Sequence, residues 1–143
     1  MKSVLYACAA MVLYAIQNVT IEQKLAKYST VSILFYFYLV MFPMAAILVS
    51  YMKVSGQQLA WPSGNAVTLV LGVGVAYFFA DFFFISAYTS GGSVIMVMTV
   101  AMMFPVFASI VKFFWTGALP NFYHVASYLV AVVSILLLVK GGR

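Results

Sequence analysis

Long apolar runs separated by isolated charges dominate this chain. Its charged side chains divide it into Ser3–Ile21, Tyr28–Met52, Val54–Ala80, Phe82–Val111 and Phe113–Val139. About 20 apolar residues span a bilayer core as a helix, so several of these runs are long enough to cross once. Breaks inside the later runs are marked by turn chemistry. Ser55 to Asn65 reads Ser-Gly-Gln-Gln-Leu-Ala-Trp-Pro-Ser-Gly-Asn, a loop with an interfacial Trp61. Ser90-Gly91-Gly92-Ser93 is a tight turn, and Thr116-Gly117-Ala118-Leu119-Pro120-Asn121 is another, with Asn121 placed to cap the next helix. The pattern therefore predicts five helices near 3–21, 30–52, 66–88, 93–115 and 122–139, the first extending as far as Lys27 in one reading. A membrane β-barrel needs alternating segments of about ten residues, and no such alternation dominates.

Composition sharpens this into an all-α, polytopic membrane protein built as a single transmembrane domain over residues 1–143. Of the 143 residues 66% are hydrophobic, 17% aromatic and 6% charged. A water-soluble domain normally carries about a quarter charged residues, so a cytosolic globule, a disordered chain and a disulfide-stapled module are excluded. Cys8 has no second cysteine to pair with. The net charge of +5 falls mostly at predicted helix ends, where it serves lipid headgroups and orientation rather than nucleic acid. Lys2 ahead of Val4–Ile16 resembles a secretory signal, but Gln17, Asn18, Val19 and Thr20 offer no small-residue cleavage site, so this segment is read as a retained helix. The expected location is the cytoplasmic membrane.

Charge placement gives little orientation. One side holds Lys2, Lys53 and the nearby Lys112; the other holds Lys24, Lys27, Lys140 and Arg143. A firmly oriented protein concentrates its basic residues in cytoplasmic loops. Two readings are compatible with this balance. Either the second side is cytoplasmic and Lys112 is a buried exception, or the chain inserts both ways and pairs antiparallel.

Within the spans, Asp81 lies among aromatic neighbours in Ala76-Tyr-Phe-Phe-Ala-Asp-Phe-Phe-Phe-Ile-Ser86. A charged carboxylate at that depth costs at least about 2.5 kcal/mol, which makes proton uptake and release available as a switch. Asp81 is thus a candidate coupling-proton or cation site; otherwise it is a hydrogen-bonded acid tying the third and fourth helices together. Lys112 is read mainly as a snorkelling residue. At about 1.5 Å of rise per residue, Asp81 and Lys112 of one chain lie about 19 Å apart in depth, against about 7 Å across an antiparallel pair. Tyr77 shares a helical stripe with Asp81, and Gly72, Ala76 and Ala80 form a small-residue row on a neighbouring face. In the first helix Tyr14, Asn18 and Glu22 share one stripe with Gln17 beside it, facing a solute cavity or hydrogen-bonding across helices. Pro43 and Pro105 are expected kinks, the latter freeing the Ala101 carbonyl. Met96, Met98, Met102 and Met103 supply adaptable surface. His124 is read as interfacial, with proton relay as the alternative. No metal-ligand cluster, phosphate-binding loop or nucleophile–base–acid set is present in the sequence, so neither a cofactor nor an enzyme is expected.

Residues 72–139 resemble the second part of an EamA-type repeat of the drug/metabolite transporter superfamily. The resemblance rests on Ile85-Ser-Ala-Tyr-Thr-Ser-Gly-Gly-Ser93, on Phe104-Pro-Val-Phe-Ala108, and on the short polar turn and apolar helix that end at Lys140. Tyr14-Ala-Ile-Gln-Asn-Val and Lys24 are compatible with the first part. Departures are Phe104 where the family often has Glu, and Thr116-Gly117 where it has another. The related small multidrug resistance proteins carry protons and cationic drug on a first-helix glutamate; the corresponding stretch here offers Gln17 and Asn18, with Glu22 only at the helix end. The resemblance implies a five-helix half that dimerises into a ten-helix bundle, in inverted orientation, around a small organic solute. A heteromeric partner is the rival assembly. The rival function is a non-transporting membrane subunit or scaffold.

Overall fold

The computed structural model describes residues 2–117 and 119–141. Helix α1 covers Lys2–Thr20 and passes directly into a π-helical turn, Ile21–Leu25. Helix α2 covers Thr30–Val54, α3 Asn65–Thr89, α4 Val94–Ala101, α5 Phe104–Thr116 and α6 Phe122–Gly141. Among the described residues every regular element is helical. Lys2–Leu25, Thr30–Val54, Asn65–Thr89 and Val94–Thr116 are long and apolar enough to cross a membrane, and Phe122–Leu137 is a shorter apolar stretch.

Local chemistry sets the helix ends. Ser29 caps α2, its side chain accepting from the Ser32 N–H at 3.2 Å, and Ser93 caps α4 by accepting from Met96 N–H at 3.3 Å. Asn121 Oδ1 accepts from the His124 N–H at 2.9 Å and so caps α6. Each cap satisfies an N–H that the first turn leaves without a partner, which costs most where water is scarce. Gly117 closes α5 in the left-handed region (φ 67°), its N–H donating to the Phe113 carbonyl at 2.8 Å. A side chain there would be strained, which explains glycine at this helix end.

The two prolines behave differently. Pro43 lies inside α2, which continues on both sides of it. Pro105 does not kink a continuous fourth helix over 93–115 as the pattern suggested. The helix stops at Ala101, turns through Met102 and Met103, and restarts with Pro105 in the first turn of α5. A proline has no N–H to give and its ring crowds the carbonyl four residues back, whereas in a first turn the missing N–H costs nothing.

The helices form two compact units, residues 1–91 and 92–143. Arg143, one of the basic residues that bear on orientation, and Ala118 of the last turn lie outside the described residues. In the first unit α2 packs on α3, and the π-helical turn packs on α3. Its core is small and sits at one end: Ile21, Ile33, Leu34, Ile85 and Tyr88 are buried, together with Asn18. In the second unit α4 packs on α6, and the Ser109 and Tyr128 hydroxyls join α5 to α6. No described residue of that unit is buried.

Candidate functional site

The α2–α3 pair is antiparallel, and its register can be read from hydrogen bonds. At one end the Thr30 and Thr89 hydroxyls meet at 2.9 Å, with Ser86 Oγ donating to Thr30 Oγ1 at 3.3 Å. Four residues in from that end on each helix lie Leu34 and Ile85, both 2% exposed. Four further in, the Tyr38 hydroxyl donates to Asp81 Oδ2 at 3.0 Å. One regular seam therefore carries a hydroxyl layer, an apolar layer and a carboxylate layer. By helix rise the last is about 12 Å from the end.

Asp81 is half-buried and points its carboxylate at α2. It ties α3 to the second helix. The Tyr38 ring that supplies the hydroxyl is itself stacked on Phe78, with centroids 5.7 Å apart. That stacking holds the phenol in place, so the hydrogen bond is formed with little loss of side-chain freedom. One turn from Asp81 on the same stripe of α3, the Tyr77 hydroxyl lies 3.5 Å from that of Tyr14 on α1, at the long limit of hydrogen bonding. Three phenols and one carboxylate thus link all three helices of the first unit. Tyr14 and Tyr77 are each 48% exposed, so this layer is open on the α1 side.

The remaining sequence candidates separate. Asn18, 1% exposed, is packed into the closed end with Ile21 and Tyr88. Gln17 beside it is half-buried. Glu22 is carried by the π-helical turn and accepts from Gln23 Nε2 at 3.3 Å. The first-helix polar residues accordingly do not act as one group: Tyr14 joins the carboxylate layer, while Asn18 and Glu22 belong to the closed end. Lys112 is exposed on α5 and belongs to the second unit. Among the described residues no group of three or more His, Cys, Asp or Glu is placed to hold a metal ion.

Sequence reasoning missed Tyr38. A signal was present: a phenol deep in an apolar run must find a hydrogen-bond partner. Tyr38 lies about as far into the second predicted helix as Asp81 lies from the end of the third, to within one residue, which puts the two at nearly one depth. Beside this layer, an apolar cleft of about 460 Å³ between α2 and α3 is lined by Val31, Leu34, Tyr38, Phe78, Phe79 and Phe82 among others.

The characteristic sequence pattern of the EamA-like transporter family matches residues 1–140. The chain belongs to that family. No curated protein and no solved structure matches it. Membership of the EamA-like family makes this a multi-pass membrane protein of a transporter-like type. It also identifies the lipid bilayer as the medium that covers the large apolar side chains left exposed along α1 to α6. In lipid those side chains cost nothing, whereas the carboxylate and phenols inside the first unit need hydrogen-bond partners from neighbouring helices.

Proposed function

We propose that this EamA-like protein is a half-size transporter of the cytoplasmic membrane. It moves a small organic solute by alternating access, as an inverted homodimer, with proton coupling through Asp81. The observation that carries the reading is the intramembrane carboxylate of Asp81 held by the Tyr38 hydroxyl at 3.0 Å beside two half-exposed phenols. An ionisable group within a membrane helix is expensive and is retained where a charge or proton must be handled. Asp81 takes up a proton from one side of the membrane and releases it to the other. Tyr38 donates its hydroxyl hydrogen to the carboxylate and so holds it in place. The aromatic wall around Tyr38 and Phe78 supplies faces on which an organic solute stacks.

The inverted pairing is supported by the nearly even distribution of basic residues and by the open α1 side of the carboxylate layer. The small-residue row of α3 supports it too: Ala76 and Ala80 are exposed, and a Cβ at Gly72 would meet nothing within 4 Å, which leaves room for a second copy's helix. Two copies in opposite orientations would form a symmetric pair around one central site.

The test uses proteoliposomes that hold a pH-sensitive dye, challenged with small amines, amino acids and aromatic cations. Wild-type protein should convert solute addition into an internal pH change, and Asp81→Asn should abolish it. Transport that survives Asp81→Asn removes Asp81 from the mechanism. Solute flux without any pH change leaves a transporter that is not proton-coupled. Reporters active in the cytoplasm or outside, fused separately after Arg143, should both be active; activity from one alone rejects the inverted homodimer.

A further inference from the structure

Both acidic side chains of the sequence, Glu22 and Asp81, lie in the first unit, so the second unit has no acidic side chain of its own. It nevertheless holds Lys112 within the candidate span Val94–Thr116. A cleft of about 330 Å³ between α5 and the start of α6 is lined by Ser109, Lys112, Pro120, Asn121, His124 and Tyr128 among others. The lining is rich in donors. Lys112 brings three N–H groups and a charge, and His124 brings a ring N–H. Asn121 uses its Oδ1 on the His124 backbone, which leaves its amide N–H groups to donate. The Ser109 and Tyr128 hydroxyls bond to each other, which uses one of their two hydrogens and leaves the other available. The His124 ring lies nearly parallel to that of Tyr128, at 14° with centroids 6.4 Å apart, so both are held in place.

The setting matches the level of lipid headgroups. Lys112 lies four residues before Thr116 at the end of α5, about 6 Å of helix rise, a distance a lysine stem covers by snorkelling. Trp115, Phe122 and Tyr123 are strongly exposed around the same end of the unit, as aromatic residues are at a membrane–water boundary. A positive charge surrounded by neutral donors, with no acidic side chain in its unit, fits an anion with several acceptor oxygens.

We propose that this cleft binds a phosphate group supplied by the headgroup of an anionic phospholipid. Lys112 matches its charge, and His124, Asn121 and the Ser109–Tyr128 pair donate to its oxygens. The acyl chains lie along the exposed apolar surface of α5 and α6.

The full chain, purified in detergent, is offered equimolar phosphatidylglycerol and phosphatidylcholine with identical acyl chains, and bound lipid is counted by native mass spectrometry. The expected result is about a tenfold preference for phosphatidylglycerol, because the choline ammonium of the other lipid offsets its phosphate charge and is repelled by Lys112. Lys112→Gln should bring the ratio close to one while Lys112→Arg keeps it. His124→Gln, at an exposed position, should lower it about two- to threefold and serves if the Lys112 variants do not fold. Equal retention of the two lipids by the wild type overturns the proposal, as does an unchanged preference in both Lys112→Gln and His124→Gln. Inorganic phosphate at millimolar concentration should leave the lipid bound, because the acyl chains add affinity. Full displacement by phosphate alone overturns the lipid source and makes the site one for a free phosphate-bearing solute.

Discussion

The two ends of the first unit use the same three helices in opposite ways. At the end formed by Thr20, Thr30 and Thr89, the chain supplies its own partners: Asn18, Ile21, Ile33, Leu34, Ile85 and Tyr88 are buried against one another, and the Thr30 and Thr89 hydroxyls bond across the helices. Toward the other end the side chains turn outward, with Phe42 80% and Leu71 65% exposed. Asp81 and Tyr38 lie between these regimes, half-buried. Helices in lipid gain nothing from hiding leucine from leucine-like tails, so they stay together only where packing and hydrogen bonds hold them. The closed end has both. The open end has small residues and a polar layer that leads outward, the arrangement expected of a surface completed by a second set of helices.

The largest test of this contrast is to remove the same kind of side chain from each end. Ile85→Ala should cost about 2–4 kcal/mol of stability in reversible unfolding in mixed micelles, because it leaves a cavity where neighbours are packed. Leu71→Ala should cost less than about 0.5 kcal/mol, because lipid or detergent refills the space. Equal losses at the two positions would mean that the open end is as tightly packed as the closed one.

A smaller effect is expected at the boundary. Tyr38→Phe removes one hydrogen bond to a carboxylate and should cost about 1–2 kcal/mol. Its more telling readout is solute-evoked proton movement, which should fall along with the stability. In a double-mutant cycle the stability cost of Tyr38→Phe should largely vanish in the Asp81→Leu background, where no acceptor remains. Full additivity would dissociate Tyr38 from the acid's function.

Much of this arrangement is legible in the sequence, and the reasons are specific. Ser29, Ser93 and Asn121 mark helix starts because a side-chain oxygen at that position satisfies an exposed N–H, a local effect that needs no tertiary knowledge. Asp81 and Tyr77 are legible because an acid in an apolar run demands an explanation and a residue one helical turn away shares its face. Tyr38 is harder to find because its partner lies on another helix, and pairing helices needs a register that no single segment contains. Tyr14, Asn18 and Glu22 share a stripe but lie at different heights on it, because a stripe says which side a residue faces, not where along it the neighbouring helix makes contact. Pro105 is a disruption, as its sequence context suggests, but not a kink, because the local rule does not tell whether a helix bends through a proline or restarts at it.

The smallest test concerns two adjacent residues at the closed end and turns on sign. The Thr89 hydroxyl is bonded to Thr30 across the helix pair. Interhelical bonds of this kind average about 0.6 kcal/mol in membrane proteins, so Thr89→Val, nearly identical in shape, should destabilise by about that amount. Tyr88 is next to it, 1% exposed, and its buried hydroxyl has no hydrogen-bond partner among the described residues. A buried hydroxyl that donates to nothing has lost its hydration without replacement, and removing it relieves that loss while leaving the ring in place. Tyr88→Phe should therefore stabilise the protein, by about 0.5–1 kcal/mol in the same unfolding assay. If Tyr88→Phe instead destabilises, the hydroxyl is bonded in the assembled protein, and the closed end acquires a partner that the isolated chain does not supply.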